Sequence, residues 1–151
     1  MRGTVLYAPG DVRVEQRDDP KITAPTDAII RVSAACVCGS DLWDYRGINP
    51  VTEPHPMGHV YVGVVEETGA DVTTIKPGQF VIGSFWASDS LIHLHGGPAP
   101  VRRFLPELTG LIWNRQIDPG QVFDLELPLG QAAEGYQAMD ERRAIKALLR
   151  P

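Results

Sequence analysis

Cys38-Gly39-Ser40-Asp41 and Gly58-His59 place a thiol, a hydroxyl, a carboxylate and an imidazole in two short stretches of one small chain. Those residue types support two kinds of chemistry. A thiolate and an imidazole suit Zn²⁺, and a carboxylate on the far imidazole nitrogen fixes the tautomer that binds it. Without a metal, the imidazole of His59 is free to pass protons, with Asp41 or Asp44 to orient it or to act as a base. Cys38 becomes a nucleophile if His59 lies within hydrogen-bond reach. Trp43 offers an apolar wall to a ligand, and Tyr45 and His55 complete the candidate binding group. The bland alternative is that Ser40 and Asp41 cap a short helical turn and that His59 is a satisfied core residue.

Other possible ligands are few. His93 and His95 are spaced i,i+2 and would share one face of a strand. His55 lies four residues before His59, but Pro56 disfavours a helix there. Cys36 reads as a small buried strand residue. Cys36 and Cys38 are the only cysteines in the chain, and they are too close to bridge without strain.

The elements that must carry these residues are mostly strands. Thr4–Tyr7 and Val12–Gln16 flank Pro9-Gly10-Asp11 and predict a hairpin. In Asp27–Ala35, Ile30, Val32 and Ala34 alternate with Ile29, Arg31 and Ser33, which predicts a half-buried strand. Val60–Glu67 and Phe80–Phe85 are further strand candidates, separated by the turn signal Lys76-Pro77-Gly78-Gln79. From Val101 the apolar residues Phe104, Leu105, Leu108, Leu111 and Ile112 follow helical spacing, with Pro98 and Pro100 ahead of the helix start. Asp118-Pro119-Gly120 ends that helix. Val122–Leu127 then reads as a strand, Leu129–Met139 as a helix and Ala144–Leu149 as a last strand. The fold class is therefore mainly β, with several short strands forming a barrel or sandwich and a few peripheral helices.

Composition narrows the partners. The chain has 151 residues, enough for one domain with a sizeable core. Asp and Glu number 19 against 14 Lys and Arg, a net charge of −5, which argues against nucleic acid or an anionic membrane as a main partner. No apolar run reaches membrane-spanning length, and the first residues lack a signal-peptide pattern. The expected location is the cytoplasm and the expected partner a small molecule.

Taken together, Cys38-Gly39-Ser40-Asp41-Leu42-Trp43, Pro56-Met57-Gly58-His59, Lys76-Pro77-Gly78, and the C-terminal run from Gly96-Gly97-Pro98 through Ala133-Glu134-Gly135-Tyr136 to Pro151 resemble the zinc-dependent medium-chain alcohol dehydrogenase family. The resemblance implies a GroES-like, partly open β-barrel built from residues 1–88 and 121–151, with residues 89–120 as a remnant strand and helix. It implies Cys38 and His59 as two ligands of a catalytic zinc, Asp41 as the carboxylate behind His59, and Ser40 as the hydroxyl that passes the substrate's proton.

The sequence also departs from that family. The four-cysteine lobe of the structural zinc is missing. No G-x-G-x-x-G occurs, and no βαβ unit is expected that could carry one, so no NAD(P) site and no self-sufficient dehydrogenase is expected. The family's glutamate after the histidine is Val60 here. Two retained ligands fall short of the three that a catalytic zinc takes from protein, so the expectation is a metal-poor site. Two function classes follow. One is a cofactor-independent isomerase, lyase or hydrolase in the former alcohol cleft, using His59, Ser40, Asp41, Asp44 and Cys38. The other is a non-catalytic relic or an excised scaffold. The resemblance also places Leu91, Ile92, His93, Leu94 and His95 on an edge strand that pairs across a homodimer.

Overall fold

The computed structural model describes residues 1–83 and 101–151. The chain divides into two compact units, Met1–Phe85 with Phe123–Pro151, and Trp86–Val122. Leu91, Ile92, His93, Leu94 and His95, and with them the expected dimer strand, lie outside the described residues, as do Pro98 and Pro100.

The first unit is built on two sheets. β1 (Arg2–Ala8) and β2 (Asp11–Gln16) form the expected antiparallel hairpin, and Gly10 supplies the positive φ of 77° that the turn needs. β4 (His55–Pro56) pairs with the other side of β1, giving the order β2-β1-β4. The second sheet runs β6-β5-β3-β8-β7. Its centre is β3 (Ala28–Cys36) against β5 (Tyr61–Thr68), flanked by β6 (Phe80–Ile82) on one side and β8 (Ala147–Arg150) on the other. The two sheets do not share a strand, so the barrel is open, as a mainly β, GroES-like fold allows.

β3 departs from the alternation that its sequence predicts. Breaks in its pairing with β5 fall between Ile29 and Ile30 and between Val32 and Ala34, so the outward and inward sets exchange along the strand. Val32 ends 38% exposed, while Ala34 and Cys36 are buried.

The C-terminal stretch is more compact than its sequence suggests. β7 (Leu125–Pro128) is shorter than expected. The 3-10 turn at Pro119–Val122 uses up its start, and Asp124 spends its carboxylate on the backbone N–H groups of Ile145 and Lys146, at 2.9 and 3.0 Å. After a 3-10 turn, α3 (Ala132–Asp140) leads back to β8, which starts at Ala147 rather than Ala144. β7 and β8 are adjacent and parallel, so β7-α3-β8 is a small βαβ unit. Its turn reads Leu129-Gly130-Gln131 and has no glycine-rich phosphate loop. Gly135 lets α3 lie close, since a Cβ there would sit 3.4 Å from that of Ala147.

The core joins the two ends of the chain. Leu6, Val12, Val37 and Leu42 meet Ala132, Tyr136, Met139, Ala147 and Leu149. The α1 helix (Asp41–Tyr45) is clamped to α3 by the stacked rings of Tyr45 and Tyr136, 5.7 Å apart, and by an ion pair of Arg46 with Asp140. The second unit contains α2 (Val101–Trp113), which places Phe104, Leu108 and Ile112 one turn apart as its spacing predicts. Among the described residues no helix is long and apolar enough to cross a membrane.

Asp124 gives the fold a measurable pH dependence. The N–H groups of Lys146 and Ile145 hold its carboxyl below the usual range. A depressed carboxylate contributes stability that is present above the unfolded pKa, about 4, and lost as pH falls through the folded value. Asp124→Ala is therefore expected to lower Tm at neutral pH, and the gap from the parent is expected to close as the buffer is taken below about pH 4. A gap that stays constant on acidification would show that the contacts contribute through packing alone.

Candidate functional site

Two features of the backbone bring the reactive groups together. The end of β3 runs through Val37 into a tight turn, where Asp41 Oδ2 accepts the backbone N–H of Cys38 at 2.8 Å. The approach to β5 passes through Gly58, whose φ of 106° is strained for any residue with a side chain. That turn delivers His59 beside the start of α1.

The geometry is a continuous line. Asp41 Oδ1 lies 3.0 Å from His59 Nδ1, His59 Nε2 lies 3.3 Å from Ser40 Oγ, and Ser40 Oγ lies 3.3 Å from Cys38 Sγ. Asp41 is 4% exposed, whereas the His59 side chain is 27% exposed and open to a ligand. Because Asp41 accepts, the neutral imidazole carries its proton on Nδ1 and presents a bare Nε2 to Ser40. Ser40 has one hydroxyl hydrogen to share between Nε2 and Sγ. When it donates to His59, the Cys38 thiol can donate to Ser40. When Ser40 donates to a Cys38 thiolate, the imidazole can donate from Nε2. The site thus has two self-consistent proton arrangements, which differ by one proton moved along the line.

The electrostatics favour charge on the sulfur. Burial works against the Cys38 thiolate, but hydrogen bonds from the Ser40 hydroxyl and backbone and from His59 outweigh it and hold the thiol below its usual range. Burial pushes the Asp41 carboxyl up, against the pull of the Cys38 N–H and of His59. Lys146 is a site residue that the sequence reading missed. Cys36 pairs with Leu148 and Val37 donates to Ala147 at 3.1 Å. Continuing that register puts Lys146 across from Cys38, where its charge favours both the thiolate and the Asp41 carboxylate. A basic residue just ahead of the last strand was the signal that could have found it.

The other candidates divide. Trp43, 57% exposed, stands on α1 beside the line and is free to face a ligand. Asp44 turns away, accepting from Asn49 Nδ2 at 2.6 Å and lying 3.8 Å from His55 Nε2. His55 Nδ1 is 3.2 Å from the carbonyl of Glu53, so Asp44 and His55 form a polar group of their own. Tyr45 stacks on Tyr136. Cys36 is buried, and burial pushes its thiol up. Ser40 does not cap α1 through its side chain, because its hydroxyl is engaged with Cys38 and His59. His93 and His95 lie outside the described residues.

A soft thiolate and an imidazole with its tautomer fixed by a buried carboxylate have the donor chemistry that zinc takes. Among the described residues, no group of three possible ligands assembles. The residues present therefore fit one half of a zinc site.

The family model of the alcohol dehydrogenase GroES-like domain matches residues 24–110. A probable zinc-binding alcohol dehydrogenase of Mycobacterium tuberculosis is 42% identical over 84 residues, which is 56% of this chain and 22% of that protein. A medium chain reductase/dehydrogenase of an Acremonium species is 40% identical over 89 residues, 58% of this chain and 30% of that protein. The chain thus spans less than a third of the length of these relatives. Among solved structures, the Thermus sp. ATN1 alcohol dehydrogenase superposes with a TM-score of 0.84 over 99% of both chains at 15% identity, a likeness of fold alone. The apo zinc dependent alcohol dehydrogenase 2 of Streptococcus pneumonia gives a TM-score of 0.50 at 34% identity, over 54% of this chain and 24% of that one.

Proposed function

The chain belongs to the alcohol dehydrogenase GroES-like domain family, and on that premise we propose that it handles small hydroxyl or carbonyl compounds by acid–base chemistry at Ser40 and His59. The observation that carries this reading is the line Asp41–His59–Ser40, with contacts of 3.0 and 3.3 Å. A substrate hydroxyl placed against Ser40 gives its proton to the Ser40 oxygen as the Ser40 proton passes to His59 Nε2. Asp41 stabilises the resulting imidazolium and keeps the ring from turning. Reversal of the same steps protonates a product. Trp43 supplies an apolar surface beside the reacting oxygen. The line serves isomerase, lyase or hydrolase chemistry without a nicotinamide.

A second reading rests on the convergence of Cys38 Sγ and His59 Nε2 on the same Ser40 oxygen. These two residues would hold zinc, as the names of the relatives suggest, with the remaining ligands from outside the described residues. When bound, the metal would supply a Lewis acid for the substrate oxygen. Ser40 and His59 would keep their proton-moving roles.

One experiment tests both. Chelator-treated protein is titrated with short alcohols and α-hydroxy ketones while the His59 ring signals are followed by NMR, before and after addition of zinc. Saturable shifts without zinc, lost in Ser40→Ala, are expected on the first reading. Shifts that require one equivalent of zinc, and that vanish in Cys38→Ser, would favour the second. No saturable ligand under either condition would leave a non-catalytic fold unit.

A further inference from the structure

Cys38 and His59 form an incomplete set of metal donors. Both reach the Ser40 hydroxyl at 3.3 Å, and the imidazole also lies within hydrogen-bonding range of the Cys38 sulfur. The His59 side chain is 27% exposed and Cys38 is half-buried, so neither residue is sealed in the core. Asp41 behind the ring keeps the imidazole proton on Nδ1 and leaves Nε2 bare for a metal.

Among the described residues this chain brings no third donor to the pair. Both oxygens of Asp41 are engaged, one by His59 and the other by the Cys38 N–H. Cys36 is buried, with Lys146 beside its thiol. His55 lies against Asp44. Zinc in a structural site takes four protein ligands in a tetrahedral array, so one chain fills half of the set.

A second copy carries the missing half. A two-fold axis through the ion repeats the same thiolate and imidazole, and two cysteines with two histidines are a ligand set that structural zinc takes. Charge favours this pairing. Two thiolates, one from each copy, neutralise Zn²⁺, whereas a single thiolate leaves it half compensated. The surroundings favour it too. Trp43 and Ile48 are 57% and 63% exposed, and the Ile48 N–H donates to the Trp43 carbonyl at 2.9 Å. An exposed apolar pair is thereby tied to the helix that begins with Asp41. Contact between two copies there removes it from water.

We propose that one Zn²⁺ joins two copies of this chain, held by Cys38 and His59 of each. The proposal rests on the reading in which these two residues hold zinc. It completes the site from a second copy, which makes the ion a structural link between chains in place of a Lewis acid.

The test is titration of the chelator-treated full chain with Zn²⁺, and separately with Co²⁺, while light scattering follows the mass in solution. Uptake is expected to end at about half an equivalent per chain, as four ligands drawn from two chains require. The mass should double over the same range and return on chelation. Co²⁺ should develop the visible bands of a tetrahedral site and the ultraviolet band of thiolate ligation. Cys38→Ser should lose both the uptake and the doubling. Asp41→Asn should weaken Zn²⁺ by about 10–100-fold, the usual worth of a carboxylate behind a ligating imidazole. The double variant His93→Ala, His95→Ala should bind and dimerise as the parent does. If Cys38→Ser does not fold, the parent's stoichiometry and mass still decide. A full equivalent of Zn²⁺ on a monomer would overturn the shared site and leave the zinc reading standing. No tight uptake of either metal would overturn both. A mass unchanged by zinc, or uptake lost in the histidine double variant, would also overturn the shared site.

Discussion

Replacing His59 with alanine is expected to reduce turnover of a confirmed substrate by about 10²–10⁴-fold, the usual worth of a positioned proton-transfer group. The size follows from what the imidazole does. It alone joins the buried Asp41 carboxylate, at 3.0 Å, to the Ser40 hydroxyl, at 3.3 Å. Without it, Ser40 retains only Cys38 as a hydrogen-bonding neighbour in the line, and the substrate's proton must leave through water. KM should change far less than kcat, because on the proposed mechanism the ring transfers the proton while Trp43 meets the ligand. A merely structural His59 would predict the reverse, with activity lost in proportion to folded protein. The distinguishing measurement is rescue. Imidazole added to His59→Ala should restore part of kcat with a dependence on imidazole concentration, and the rescued rate should follow the base strength of substituted imidazoles. Full turnover in the unrescued variant would remove His59 from the mechanism.

Asp41→Asn is a useful companion to that variant. Asparagine can still accept from the Cys38 N–H, but its amide can also present a donor to His59 Nδ1 and so favour the other tautomer, with the proton on Nε2. That tautomer cannot take a proton from Ser40, so kcat should fall while the fold is kept.

How much of this was legible in the sequence depended on the range of the interaction. The hairpin of β1 and β2, the turn at Gly78 and the helix α2 are set by local chemistry, a glycine with positive φ or a 3.6-residue period, and the sequence displays such signals directly. The Asp41–His59 contact was legible too, through a tetrapeptide and a dipeptide that resemble a known pattern. What stayed hidden is set by pairing between distant segments. Val32 faces outward because the breaks in the β3–β5 ladder exchange the faces of the strand, and alternation alone cannot show a bulge. Lys146 reaches Cys38 only through the β3–β8 register, across more than a hundred residues of chain. Tyr45 looked like a cleft residue because it follows Trp43, yet a five-residue helix turns successive side chains about 100° apart, and this one points at Tyr136. Asp44 was diverted in the same way, by Asn49.

Tyr136→Ala is expected to be the most destabilising single change in the described core, at about 3–5 kcal/mol, the range for truncating a large buried aromatic ring. Tyr136 is 2% exposed and belongs to the cluster in which Leu6, Val12 and Leu42 meet Ala147 and Leu149. Removing the ring leaves a void that β1, β8 and the two helices cannot all close at once. A chain of this size has a total stability of about 5–15 kcal/mol, so the loss is a large share of it, and Tm should fall by on the order of 10 °C. Burial and the nearby negative charges of Asp41, Cys38 and Asp44 push the phenol's ionisation up, so the ring is neutral at every working pH and contributes by packing. Tyr136→Phe, which keeps the ring, should therefore cost no more than about 1.5 kcal/mol. The effect reaches the proton line through α1. Tyr45 stacks on Tyr136 at the end of the same short helix that begins with Asp41. With the stack gone, Asp41 loses the element that presents it to His59. In the folded fraction of Tyr136→Ala the Asp41–His59 contact should loosen, and the His59 ring signals should change with it. Thermal denaturation together with the NMR signals of the His59 ring checks both parts. A variant that melts within about 2 °C of the parent would imply a cost near 1 kcal/mol or less, and the α1–α3 clamp would then not be what holds the site together.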